Sequence, residues 1–126
     1  MIKVKMIELL NINMILSKLC SFDNKDVSVG FNYKIGILHE RFKIHVNQYT
    51  KCLQEIITKN DIKIIENNFV NEDEGKLNNF LKSKIELENL DLEIEQSKII
   101  FDRNAKGLNS YELLMLRPFF DFSELN

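Results

Sequence analysis

The stretch FNYKIGILHERFKIHVNQYTKCLQEIITK, residues 31–59, decides the fold expected for this chain. One set of mostly apolar residues recurs in it at alternating intervals of four and three positions. The set is Phe31, Ile35, Leu38, Phe42, His45, Tyr49, Cys52 and Ile56. A seven-residue repeat of this kind lies along one side of an α-helix. We therefore predict one long amphipathic helix over residues 32–59, and we call this repeat the seam.

Further apolar residues are interpreted as widening the seam, namely Ile37, Ile44, Val46, Leu53 and Ile57. Charged side chains occupy much of the remaining helix surface. A helix this apolar is not stable alone in water and needs a packing partner. The first helix of the same chain or a second chain, in a coiled-coil-like contact, would meet that need, and the sequence leaves both open.

The N-terminal segment predicts a strand followed by a helix. Ile2, Val4 and Met6 alternate with two lysines, which is typical of a short edge strand with one buried face. Residues 8–21 then change to the three-four spacing of a helix, which we expect to pack on the long helix. The polar residues 22–26 predict a turn.

Short elements are predicted in the second half of the chain. We expect a strand at 61–65, an acidic turn at 71–75, a short helix around 77–81, strands at 85–87 and 90–94 with solvent-facing acids, and a strand extension at 99–101.

The C-terminal segment combines a short helix with an aromatic cluster. Ser110 is predicted to cap a helix from Tyr111 to Leu116, before Pro118. Phe119, Phe120 and Phe122 follow, and each gains about 1.5–3 kcal/mol from full burial. They either close the core or dock on a partner. Taken together, the pattern predicts a single α+β domain over residues 1–126: two packed helices, one long, with a small, mostly antiparallel sheet and a short C-terminal helix.

Composition limits the chemistry that the chain can perform. With 17 basic and 19 acidic residues the net charge is −2, so we expect no nucleic-acid partner. Two cysteines and two histidines are too few for an ordinary zinc site within one chain. No phosphate-binding glycine loop, nucleophile elbow or zinc-binding His pair is present. We therefore predict a non-enzyme without cofactor, metal or small-molecule ligand.

The N-terminus and the cysteines indicate the compartment of the protein. Glu8, Asn11 and Asn13 interrupt any apolar core of a signal peptide, and no window approaches the roughly 18 apolar residues of a membrane span. We expect a protein that is not secreted and has no membrane partner, located in the host cytoplasm or in a virion. Both cysteines are expected to be reduced, although a Cys20–Cys52 disulfide stays open.

The order of elements resembles a family of small phage and prophage proteins of unknown function. The resemblance rests on Glu8-Leu9-Leu10 at a helix start, Val29 to Ile35 entering a long charged helix, Leu77 to Leu81, an Ile85-Glu86-Leu87 strand, and Ser110 to Phe119 at the end. It implies a phage origin and no catalytic residue. A preference for 14 Lys against 3 Arg, with a single Ala, fits a phage with an AT-rich genome.

These observations predict a non-catalytic, phage-encoded interaction protein, either a minor virion component or an assembly accessory. Its partners would be other virion proteins or a second copy of itself. The residues expected to carry the contacts are Phe119, Phe120, Phe122, Leu38, Phe42 and Tyr49. Two alternatives stay open: an inhibitor of a host protein that acts through the acidic face at Glu86, Glu88, Glu93 and Glu95, and a small structural subunit of a large assembly.

Overall fold

The computed structural model describes residues 1–21 and 26–125, and the predicted turn at 22–26 lies largely outside them. The described helices are α1 (Met6–Ser21), α2 (Val29–Lys59), α3 (Glu74–Glu88) and α4 (Ser110–Met115), with a final 3-10 turn at Ser123–Leu125. The described strands are β1 (Ile2–Lys5), β2 (Lys63–Ile65), β3 (Asn68–Val70), β4 (Asp91–Ile94), β5 (Ile99–Ile100) and β6 (Phe120–Asp121). The α+β class with one dominant helix is confirmed.

Helix α2, with 31 residues, is the longest helix in the described part of the chain. Its N-terminus is capped by Ser28, whose side chain accepts a hydrogen bond from the backbone amide of Phe31. The first four seam residues, Phe31, Ile35, Leu38 and Phe42, are all buried. They pack against α1, whose buried face includes Leu9, Ile12, Leu16 and Leu19, so the intramolecular alternative accounts for this half of the seam.

Full burial of the seam ends at Phe42. The later members His45, Tyr49, Cys52 and Ile56 are only partly buried. This half of α2 packs on α3, and a buried Asn60 at the end of α2 joins the two: its side-chain oxygen accepts a hydrogen bond from the amide of Asn79 at 3.1 Å. More of the chain therefore packs around the first half of α2 than around the second.

The strands form three separate two-stranded ladders among the described residues. β1 pairs antiparallel with β4, and β2 pairs antiparallel with β3. β5 pairs parallel with β6, which brings the C-terminal segment alongside the residues that follow β4. The sheet predicted as one unit is thus divided, although most of its pairing is antiparallel.

Two sequence-based predictions about α3 are corrected. Residues 85–87 do not form a strand, because α3 continues through them to Glu88. The Ile-Glu-Leu alternation spans only three residues and also fits the outer turn of a helix, where Lys84 and Glu88 pair at 3.1 Å. The acidic turn is shorter than expected, since Asp73 caps α3 and Glu74 already begins it.

The cap of α4 is Asn109 and not Ser110. The Asn109 side chain accepts a hydrogen bond from the amide of Glu112, and the Glu112 carboxylate accepts one from the amide of Asn109. This reciprocal capping box needs an acid three residues after the cap, which only Asn109 has here. Glu112 also binds Lys18 at 2.9 Å, so the same carboxylate joins α4 to α1.

A strained turn joins β2 to β3. The hairpin loop consists of Glu66 and Asn67, and both have positive φ angles, 50° and 66°. Turns of this kind favour Asn and Gly at their central positions, while a glutamate there bears a steric cost.

Replacing Glu66 by Asn should therefore raise the free energy of unfolding, by roughly 0.5–1 kcal/mol. Urea denaturation monitored by circular dichroism measures this change. Glu72→Asn removes the same charge outside the turn and should leave stability almost unchanged. Equal effects of the two substitutions would show that backbone strain at Glu66 is not the cause.

Candidate functional site

The six residues predicted to contact a partner are mostly inside the protein. Leu38, Phe42 and Phe119 are fully buried, and Phe120 is 1% exposed. Tyr49 and Phe122 are partly buried. Four of the six therefore present no surface to a partner in this conformation. For Phe119 and Phe120, burial favours core closure over docking, the two roles that the sequence left open.

Aromatic stacking explains why these phenylalanines are inside. The Phe119 ring meets the Phe42 ring edge-to-face at 4.9 Å between centroids. Phe120 lies 5.7 Å from Phe101, which in turn lies 5.5 Å from Phe31. The C-terminal segment thus closes the core over the first half of α2.

Substitution of Phe119 by Ala should cost about 3–5 kcal/mol of unfolding free energy, because it leaves a cavity against Phe42. Tyr111→Ala, at an exposed aromatic of α4, should change stability by less than about 0.5 kcal/mol. Chemical denaturation of both variants tests this. A Phe119→Ala protein as stable as the wild type would mean that the C-terminal segment does not close the core.

The apolar residues that stay in solvent form a different set. Val29, Tyr33 and Ile44 are 85%, 70% and 70% exposed, and Ile37 is 37% exposed. They are separated by four, four and seven residues, so they follow one side of α2 opposite the seam. We call these four residues the outer stripe.

The interpretation of Ile37 and Ile44 as part of the seam is therefore wrong. Each helical residue turns the side chain by about 100°, so Ile44, two positions after the buried Phe42, points away from the core. The spacing from Val29 through Tyr33 to Ile37 was a signal for a second apolar face, and the dominant seven-residue repeat obscured it.

A groove runs beside the outer stripe. Tyr33, Lys34, Ile37 and Arg41 of α2 form one wall, and Glu95, Gln96, Ser97 and Met1 form the other. Its cavity volume is about 430 Å³. Arg41 crosses it: its Nη1 atom donates to the Glu95 carbonyl oxygen at 2.7 Å and to the side-chain oxygen of Gln96.

The acidic face proposed for the inhibitor alternative is dispersed. Glu86 and Glu88 lie on α3, and Glu88 is paired with Lys84. Glu93 of β4 faces Lys3 of β1 at 3.8 Å, and Asp91 faces Lys5 at 3.7 Å. Of the four acids, Glu93 is thus paired with a cross-strand lysine and Glu88 with a lysine of its own helix.

A serine and a histidine come into hydrogen-bond contact between α1 and α2. The Ser17 hydroxyl lies 3.0 Å from His39 Nε2. A catalytic pair of this kind needs a third group that orients the histidine. The adjacent carboxylate of Glu40 is bound by Lys43 at 2.9 Å instead. This pair joins two helices, and we assign it a structural role.

The environment of His39 favours its neutral form. Partial burial and then the positive charge of Lys43 lower the pKa of His39, while Glu40 opposes them. The unfolded chain consequently takes up a proton more readily than the folded protein, so the contribution of His39 is present above the unfolded pKa and lost as the pH falls below it.

We expect the unfolding free energy of the wild type to fall between pH 7.5 and pH 5, and we expect His39→Gln to reduce that slope. Urea denaturation at a series of pH values measures it. Asn47→Gln, an exposed substitution on the same helix that removes no titratable group, should keep the slope. Superimposable pH profiles of wild type and His39→Gln would contradict the assignment.

The two cysteines and the potential metal ligands are the other reactive groups considered for the site. Cys20 and Cys52 are free thiols, so the structure does not form the disulfide that the sequence left open. Burial raises the pKa of the Cys20 thiol, against the opposing effect of Lys43. Across residues 1–21 and 26–125, no group of three or more His, Cys, Asp or Glu residues is placed to hold a metal ion.

None of the helices in the described part of the chain combines the length and apolar character that crossing a membrane requires. Comparison with protein-family models gave no match to this chain. Comparisons with curated proteins and with solved structures gave none either. The outer stripe and its groove are therefore the candidate functional site on physical grounds alone.

Proposed function

We propose that this chain is a non-catalytic interaction protein that binds a protein partner through the outer stripe of α2. The observation that carries the proposal is the exposure of four large apolar side chains along one face of a helix. Single exposed apolar residues are ordinary, but four along one helix face, with Glu40 between Ile37 and Ile44, are typical of a binding surface.

Length and stiffness suit α2 to this role. From Val29 to Ile44 the stripe extends about 22 Å along the helix axis. The opposite side of the same helix segment is held by the core through Phe31, Ile35, Leu38 and Phe42. A partner would therefore meet a surface that is already ordered and lose little conformational entropy on binding.

A phage origin, with a role as minor virion component or assembly accessory inside the host cell, belongs to the same proposal. Support for it comes from the sequence resemblance described above and from the AT-rich residue usage. One element of that resemblance, residues 85–87, is helical here, whereas the N-terminal strand, the long helix and the C-terminal helix are present as expected.

The function is tested by affinity capture with matched variants. Tagged wild type should recover capsid, portal or tail proteins from its native source, identified by mass spectrometry. The double variant Tyr33→Ser, Ile44→Ser should lose them, because it removes two exposed anchors without entering the core.

The control is Ile64→Ser on β2, which removes an isoleucine that is 56% exposed and lies away from the stripe, and it should retain the partners. Recovery of a single host enzyme or defence protein would instead favour the inhibitor alternative. Unchanged recovery by the double variant would overturn the assignment of the outer stripe as the binding surface.

A further inference from the structure

The groove beside the outer stripe has a volume of about 430 Å³, comparable to other surface grooves of the protein, so its lining and not its size indicates what it binds. Tyr33 and Ile37 supply apolar surface, and Lys34 and Arg41 supply two positive charges. The chemistry of these side chains indicates what kind of segment would enter it.

Arg41 is held in one orientation with a donor edge left over. Both of its contacts in the described structure are made by Nη1, to the Glu95 carbonyl and to the Gln96 side chain. A guanidinium has five N–H groups, so the edge formed by Nε and Nη2 has no partner among residues 1–21 and 26–125. Two parallel donors on one edge are the geometry that binds a carboxylate through both oxygens.

Lys34 lies seven residues before Arg41, which is about 10 Å along the helix. No carboxylate in the described part of the chain forms an ion pair with either cation. Glu95 is the acid that lines the same groove, so the net charge of the three side chains is +1. Ile37 lies between the two cations along the helix, and Tyr33 lies just before Lys34, so the groove also offers apolar surface.

We propose that this groove binds an acidic segment of the partner protein. One carboxylate binds the free edge of Arg41, a second pairs with Lys34, and an apolar side chain between them packs on Ile37. Carboxylates seven residues apart on one face of a helix match the spacing of the two cations. This inference rests on the proposed function and names the chemistry of its partner.

A pair of synthetic peptides tests the inference without knowledge of the natural partner. The first is an alanine-based helix with two glutamates seven residues apart and a leucine between them, and the second carries glutamines in their place. Titration followed by fluorescence anisotropy should show binding of the glutamate peptide at least tenfold tighter than the glutamine peptide. Raising the ionic strength from about 0.05 M to about 0.5 M should weaken that binding severalfold.

Substitutions of the charged groove residues test the contribution of each charge to peptide binding. Lys34→Gln should weaken binding of the glutamate peptide, and Glu95→Gln should strengthen it because a repelling charge is removed. Arg41→Lys keeps the charge but loses the two parallel donors, so it should weaken binding while retaining salt dependence. Lys51→Gln, elsewhere on α2, should have no effect.

Arg41 also ties α2 to residues 95–96, so a thermal melt must show that each variant folds. Lys34→Gln and Glu95→Gln leave those contacts intact and keep the test decisive. Equal binding of the two peptides, no binding of either, or indifference to Lys34→Gln and Glu95→Gln would overturn the inference. Affinity capture with the double variant Tyr33→Ser, Ile44→Ser tests the proposed function separately, because that experiment makes no assumption about the charge of the partner.

Discussion

Burial of the first half of the α2 seam is the interaction on which the rest of the structure depends. Phe31, Ile35, Leu38 and Phe42 are the side of a 31-residue helix that meets α1 and the C-terminal aromatic residues. Each buried large apolar side chain contributes on the order of 1.5–3 kcal/mol. Without that contact α2 would have no reason to stay helical in water, and neither α4 nor β6 would have a surface to pack on.

This constraint also explains why less of the chain packs around the second half of α2 than around the first. In the second half of α2, the neighbouring helix is α3, on which the β2–β3 hairpin packs through Phe69. Phe80 is the fully buried residue of this half, stacked on Phe69 at 4.9 Å between ring centroids. Polar contacts contribute more here: Asn60 is 4% exposed, and its backbone carbonyl accepts a hydrogen bond from Asn71 at 2.9 Å. A buried amide of this kind is stable only because its polar atoms find partners.

The same packing determines which chemistry remains at the surface. The core uses one side of α2, so the opposite side, with Val29, Tyr33, Ile37 and Ile44, stays exposed. The segment after β4 then runs beside α2 and receives a hydrogen bond from Arg41. This apolar row and the oriented arginine beside it form the surface that we propose binds a partner.

Much of the fold was predictable from local patterns. The strand at the N-terminus, the long helix and the strand ending at Ile94 were predicted from alternation and seven-residue spacing, because these periodicities are local properties of the chain. Short segments were less predictable. Residues 85–87 alternate over too few positions to distinguish a strand from a helix, and the two residues of β6 form a strand only because β5 lies beside them.

Most of the candidate site could not be predicted from the sequence. The sequence by itself determined that α2 has one strongly apolar face and that the phenylalanines near the C-terminus need burial or a partner. Only the tertiary structure decided that Phe119 and Phe120 are inside, that Tyr33 and Ile44 are outside, and that Arg41 meets Glu95, 54 residues away. The physical reason is that periodicity reports which residues share a face, whereas long-range packing decides which face finds a neighbour.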